Sequence, residues 1–188
     1  MRVFVAVAPG DAFRAALSSR LDAARRVVPA GWTRPEGWHL TLQFLGEWPA
    51  PRLAALQEAL DGIDPGEAFV LRPGKLGAFP DLGRPRVLFL HLMDDGQAAA
   101  LAGRVRAAVD AAWPDGPQDR KALRPHLTLA RVRVQPEREH LKMLYGIDFG
   151  DLPEIPVEGF ALVSSALGAG GARYRDLAFW RVRKKGEQ

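Results

Sequence analysis

GWHLTLQFLG, residues 37–46, and RPHLTLARVR, residues 124–133, share the tetrapeptide HLTL, 87 positions apart. Successive side chains of a strand point to opposite faces, so each motif sorts its residues into two rows. In the first motif Trp38, Leu40, Leu42 and Phe44 fall on one side, and His39, Thr41 and Gln43 on the other. In the second, Leu127 and Leu129 oppose His126 and Thr128. The leucine rows read as core anchors. Each polar row sets an imidazole and a hydroxyl roughly 6–7 Å apart on an anchored strand.

Outward from the motifs, helix and strand signals interleave. Residues 2–8 are apolar on both parities, as in a strand covered on both faces. Asp11 is placed to cap a helix whose stripe is Phe13, Leu17, Leu21, Ala24 and Val28. Strands are expected at 38–45, 68–72, 86–92, 126–134, 155–163 and 173–182. A Gly- and Pro-rich loop is expected from Pro73 to Pro85, and a polar loop at 115–121. Pro51 opens a helix carrying Leu53, Leu56, Leu60 and Ile63. A further helix carries Leu101, Val105, Val109 and Trp113, and a short one follows Pro136 and closes at Gly146. Gly168-Ala169-Gly170-Gly171 reads as a hairpin connection. Long parallel βαβ regularity is missing, so the pattern predicts an α+β protein built from two similar halves.

Composition narrows the chemistry. The 188 residues are 47% hydrophobic and 26% charged, ordinary for a globular chain. The count of cysteine is zero, which excludes disulfides, thiolate metal sites and a cysteine nucleophile. The apolar run VFVAVA after Arg2 is too short for a signal-peptide core, and no stretch approaches the roughly 20 residues that span a membrane. A cytoplasmic protein with no membrane partner is expected. The formal charge of +4, with a pI near 9.8, is compatible with a polyanionic partner. Arg181, Arg183, Lys184 and Lys185 read as a solvated tail.

A single His-x-Thr in a strand is ordinary. Here two of only four histidines fall in identical tetrapeptides. Opening a cyclic phosphodiester with water needs a base for the attacking water and an acid for the departing ribose oxygen. Imidazole, with an ordinary pKa near 6.5, does either at neutral pH. Two histidines on opposite sides of a phosphorus suit in-line displacement, and two threonine hydroxyls can donate to the non-bridging oxygens. No HExxH occurs and no carboxylate completes a metal-ligand spacing, so no metal or cofactor is expected. His91 and His140 lack the motif context; His91 reads as structural or surface, and His140 as solvent-facing.

The ordered set RVFVAV, WTRPEGWHLTLQFLG, LGAFP with PRVLFL, RPHLTLAR and SSALGAGGARY closely resembles the 2H phosphoesterase superfamily, and within it the RNA 2′,3′-cyclic phosphodiesterases historically called 2′-5′ RNA ligases. The resemblance runs over essentially the whole chain. It implies one bilobal unit over residues 1–188 with pseudo-twofold symmetry and HxTx motifs at 39–42 and 126–129. Two mainly antiparallel sheets would surround a central cleft, with helices outside. It further implies hydrolysis of a 2′,3′-cyclic phosphate at an RNA end to a 2′-phosphomonoester, tRNA fragments being possible substrates, by a monomer. His39 would be the proton donor and His126 the proton acceptor. Thr41 and Thr128 would hold the phosphate, and Arg131 would contact it, although strand parity puts Arg131 on the side of Leu127 and Leu129. Arg34 and Arg173 are weaker candidates for RNA contact, and Trp32, Trp38, Phe44 and Tyr174 for base stacking. Ligation of RNA ends through a 2′-5′ linkage is the rival reading within catalysis. A non-catalytic RNA-end binder and a cyclic phosphodiesterase for a small nucleotide remain the alternatives.

Overall fold

The computed structural model describes residues 1–116, 121–168, 171–184 and 186. In chain order the elements are β1 (Arg2–Val7), α1 (Asp11–Val27), β2 (Gly31–Trp32), β3 (Leu40–Glu47), α2 (Leu53–Asp61), β4 (Phe69–Phe79) and β5 (Val87–Met93). They continue with α3 (Gln97–Ala112), β6 (His126–Arg131), α4 (Arg138–Tyr145), β7 (Ile155–Val157), β8 (Gly159–Gly168) and β9 (Gly171–Arg181). Strand order is β7-β4-β5-β6-β3-β1-β8-β9, with β2 beside β6 and antiparallel neighbours. The expected α+β class with paired antiparallel halves is present. One half is β3-β1-β8-β9 and the other β6-β5-β4-β7. They meet where the HLTL strands touch, through the pair Leu40 and Leu127.

Each half repeats one arrangement: strand, helix, HLTL strand (β1-α1-β3 and β5-α3-β6). The helices cover one face of the sheet. Phe13, Leu17 and Leu21 of α1, Leu56 and Leu60 of α2, and Leu101, Val105 and Val109 of α3 are buried there against Leu40, Leu42, Leu127 and Leu129. Phe4, Ala6, Ala161 and Val163 form a separate small apolar cluster. Their neighbours in β1, β3 and β8 alternate into the main core, which places this cluster on the opposite, helix-free face.

Several expected boundaries shift for physical reasons. Asp11 is the first residue of α1 rather than its cap; Gly10 occupies the cap position and its carbonyl accepts the Arg14 amide at 3.1 Å. β4 continues through most of the segment expected as a loop. An irregularity between Pro73 and Leu76 absorbs the proline, and Gly77 lies opposite Phe89, whose ring would collide with any Cβ there. The expected strand at 155–163 is two strands: β7 pairs with β4, and β8 with β1. β6 stops at Arg131 rather than 134. Gly168 pairs with Gly171, while Ala169 and Gly170 of the expected hairpin connection lie outside the described residues. Most of the polar loop at 115–121 and Lys185 also lie outside them. Arg183 is docked rather than a free tail: its amide donates to Gly66 O at 2.8 Å and its Nη1 sits 3.0 Å from Asp64 Oδ1. Among the described residues, no helix is long and apolar enough to cross a membrane.

Candidate active site

His39 immediately precedes β3 and His126 opens β6. Extending the antiparallel register from Leu40 and Leu127 sets His39 across from Thr128, and Thr41 across from His126. The strands pair at that one position and then diverge. Both His-x-Thr pairs therefore flank a joint from which the helix-free faces open as a cleft.

The two imidazoles are held alike. His39 Nδ1 lies 2.8 Å from Gly37 O and His126 Nδ1 lies 2.6 Å from Arg124 O, in both cases the carbonyl two residues upstream. A carbonyl only accepts, so each Nδ1 donates and each Nε2 is left for a ligand. Phe4 stacks on the His39 ring at 4.6 Å and Tyr174 meets it edge-on at 5.2 Å. Phe79 and Phe89 stand edge-on to His126 at 5.9 and 5.2 Å. Burial pushes the His39 pKa below its ordinary value. The bond to the Gly37 carbonyl opposes this, and the charge of nearby His126 adds to the lowering. In the free protein the neutral imidazole is thus favoured.

Two β-bulges decide what else faces the cleft. Along β6, Thr128 pairs with Phe89 but Ala130 pairs with Leu88, so Leu129 is an extra residue. Ala130 joins Leu127 and Leu129 in the core, and Arg131 turns to the side of His126 and Thr128, where it is exposed. The bulge resolves the parity objection to Arg131. In β3 the same happens one residue after Thr41. Thr41 pairs with Ala6 and Gln43 with Val5, leaving Leu42 as the extra residue. This corrects the expected facing of Gln43 and Phe44. Gln43 is buried at 5% exposure, with Arg106 Nε 3.4 Å from its Oε1, while Phe44 turns to the cleft side at 48% exposure. Phe44 and Arg131 occupy equivalent places, five residues after their histidines.

The other aromatic candidates divide. Trp38 is in the core, with Arg25 over its ring at 5.3 Å. Trp32 is half-buried, its Nε1 donating to Val28 O. Tyr174 does reach the site. Arg34 and Arg173 are exposed. His91 pairs in register with His126 and is exposed. His140 is half-buried with its Nδ1 enclosed, not solvent-facing as expected. Sequence reading missed Phe4, Phe79 and Phe89, which resemble ordinary core residues until the strand neighbours are known.

Two hollows accompany the cleft. One of about 290 Å³ lies beside His39, Phe4 and Tyr174. A wider depression of about 700 Å³ lies past the end of β6, between Asp81, Arg84, Arg86, Val132 and Arg133.

Residues 10–89 match the model of the LigT-like phosphoesterases. An RNA 2′,3′-cyclic phosphodiesterase of Archaeoglobus fulgidus is 34% identical over 94% of this chain and 98% of its own length. A protein of the same name from Thermus thermophilus is 36% identical over 97% of this chain and 91% of its own. Among solved structures, TT0787 of Thermus thermophilus superposes with a TM-score of 0.80 and 33% identity, over 98% of this chain and 100% of that one. Sequence and architecture agree along nearly the full length, and the chain belongs to the LigT-like phosphoesterases of the 2H phosphoesterase group.

Proposed function

We propose that the protein hydrolyses 2′,3′-cyclic phosphate ends of RNA, tRNA fragments among them, to 2′-phosphomonoesters, as a cytoplasmic monomer and a single bilobal unit. One observation carries the reading: two imidazoles, each tied through Nδ1 to a carbonyl so that Nε2 is left for a ligand, sit on the two HLTL segments that meet at Leu40 and Leu127. Water oxygen attacks phosphorus in line with O3′, and His126 Nε2 takes its proton. The P–O3′ bond breaks, and His39 Nε2–H gives O3′ a proton. O2′ keeps the phosphate. Thr41 and Thr128 donate to the non-bridging oxygens, and Arg131 offsets their charge. His39 must enter the step protonated, and the anionic phosphate beside it favours the imidazolium that burial disfavours in the free protein.

An RNA 5′-hydroxyl in place of water would form a 2′-5′ linkage by the same route, but excess water favours hydrolysis. The arginine-lined depression beyond β6 favours a polynucleotide over a lone nucleotide as substrate.

The test is an RNA oligonucleotide ending in a 2′,3′-cyclic phosphate, incubated with the protein in EDTA. A 2′-phosphate product is expected, with His39→Ala and His126→Ala each slowing turnover by about 10²–10⁴-fold. Binding without turnover in the unaltered protein would establish the non-catalytic alternative instead.

A further inference from the structure

In-line displacement gives the two sides of the cleft to different groups. The water enters at His126, so the ribose that carries O3′, and the base attached to it, must lie on the His39 side. This rests on the acid and base roles proposed above. The 290 Å³ hollow lies on that side. It is close to the small end of ligand-site volumes, ~300 Å³, and suits one nucleoside.

Its inner wall is the apolar cluster of Phe4, Ala6, Ala161 and Val163. Tyr174 stands nearly perpendicular to both Phe4 and His39, at 88° and 78°, and is 39% exposed, making an aromatic corner. A base lying flat on one ring there meets the edge of the other. Arg14, Glu36 and Asp176 complete the lining. Neither carboxylate side chain has a hydrogen-bond or ion-pair partner among the described residues. Arg14 Nε is buried without a partner, although Nη1 reaches the exposed Asp11 at 3.4 Å.

These polar groups are selective in kind. Ionised carboxylates only accept, and guanidinium only donates. Guanine presents two adjacent donors, N1–H and N2–H₂, which one carboxylate accepts together, and its O6 and N7 accept from arginine. Adenine and cytosine each offer one exocyclic amino group. Uracil flanks its single N–H with carbonyls, which a carboxylate repels.

We propose that this hollow receives the base of the terminal nucleotide and selects guanine, with Tyr174 stacking, Asp176 and Glu36 accepting, and Arg14 donating. The four nucleoside 2′,3′-cyclic monophosphates are the probes. kcat/KM for the guanosine compound should exceed that for the uridine compound by about tenfold or more, mostly through KM. The double variant Glu36→Gln/Asp176→Asn should shrink the ratio, because the amides donate as well as accept. Tyr174→Ala should raise KM for all four, and Tyr174→Phe should restore it. Equal kcat/KM for the four compounds, or a guanosine preference unchanged in the double variant, would overturn the assignment.

Should neither these compounds nor cyclic-ended RNA turn over, the hydrolytic reading fails by itself. Calorimetry with guanosine 2′-monophosphate and uridine 2′-monophosphate then decides the hollow. Tighter guanosine binding that the double variant loses supports the proposal. Equal or no binding overturns it.

Discussion

His39 is the residue whose surroundings differ most from those of a surface imidazole. Phe4 covers one ring face, Tyr174 closes an edge, and the charge of His126 discourages its own. These effects lower its pKa in the free protein. As the proposed acid it must carry a proton, and the protonated fraction in the free protein falls as pH rises through a value below 6.5. An NMR titration of the free protein should therefore find the His39 imidazole losing its proton below 6.5, and a bound phosphate anion should raise that midpoint because it favours the imidazolium. A midpoint at or above 6.5 in the free protein, or one that the anion leaves in place, would contradict this. Arg131 makes a separate residue-scale prediction. Arg131→Ala should slow turnover of a cyclic-ended oligonucleotide by about 10²–10³-fold, as for loss of a donor to developing charge. Arg131→Lys should recover only part of this, since a point charge lacks the guanidinium fork.

At the scale of single elements, the bulges at Leu42 and Leu129 do what regular alternation cannot. A straight strand facing His126 and Thr128 to the cleft would bury Arg131, at a large desolvation cost for an unpaired guanidinium. One extra residue after the threonine lets β6 anchor with the consecutive apolar side chains of Leu129 and Ala130, and β3 with Leu42 and the buried Gln43, and each strand still shows its next long side chain to the cleft. Gly77 belongs to the same device. It leaves room for the Phe89 ring, which lies 5.2 Å from His126. Gly77→Ala should cost about 1–3 kcal/mol through overpacking and reduce turnover by up to about 10²-fold as the ring displaces His126. Urea denaturation and single-turnover rates measure the two. Leu127, buried at the joint, and Leu71, buried in β4, make a matched pair. Each alanine variant should lose about 2–5 kcal/mol, but Leu127→Ala should lower kcat well beyond Leu71→Ala at equal fraction folded.

For the whole molecule, the division into halves places the chemistry. Each half is a helix-backed antiparallel array, and their HLTL strands touch at one residue pair before splaying. The cleft is the consequence of that limited pairing. Arg84, Arg86 and Arg133 lie beyond one end of it, around the depression of about 700 Å³. Replacing all three with alanine should leave turnover of nucleoside cyclic phosphates unchanged and weaken binding of a cyclic-ended oligonucleotide. The slope of log K against log salt should become shallower by about 0.7 for each single-strand phosphate that these arginines no longer neutralise. Filter binding at several salt concentrations measures it, and an unchanged slope would place the RNA elsewhere.

The sequence by itself determined the HLTL repeat, its leucine anchors, the apolar stripes of α1 and α3, and the type of chemistry two histidines and two threonines can perform. Those features depend on side-chain identity and on periodicity within a few residues, so they survive without knowledge of any partner strand. It misread the Gly- and Pro-rich stretch of β4 because composition alone cannot tell a loop from a strand making room for a facing ring. Only the tertiary structure decided the facing of Gln43, Phe44 and Arg131, since alternation past a bulge is set by the neighbouring strand's register. It also decided the burial of His39. Phe4, near the start of the chain, and Tyr174, near its end, meet on that ring because β8 joins β1 to β9. A low pKa made from such distant parts has no local signature, whereas the histidine that bears it was legible at once.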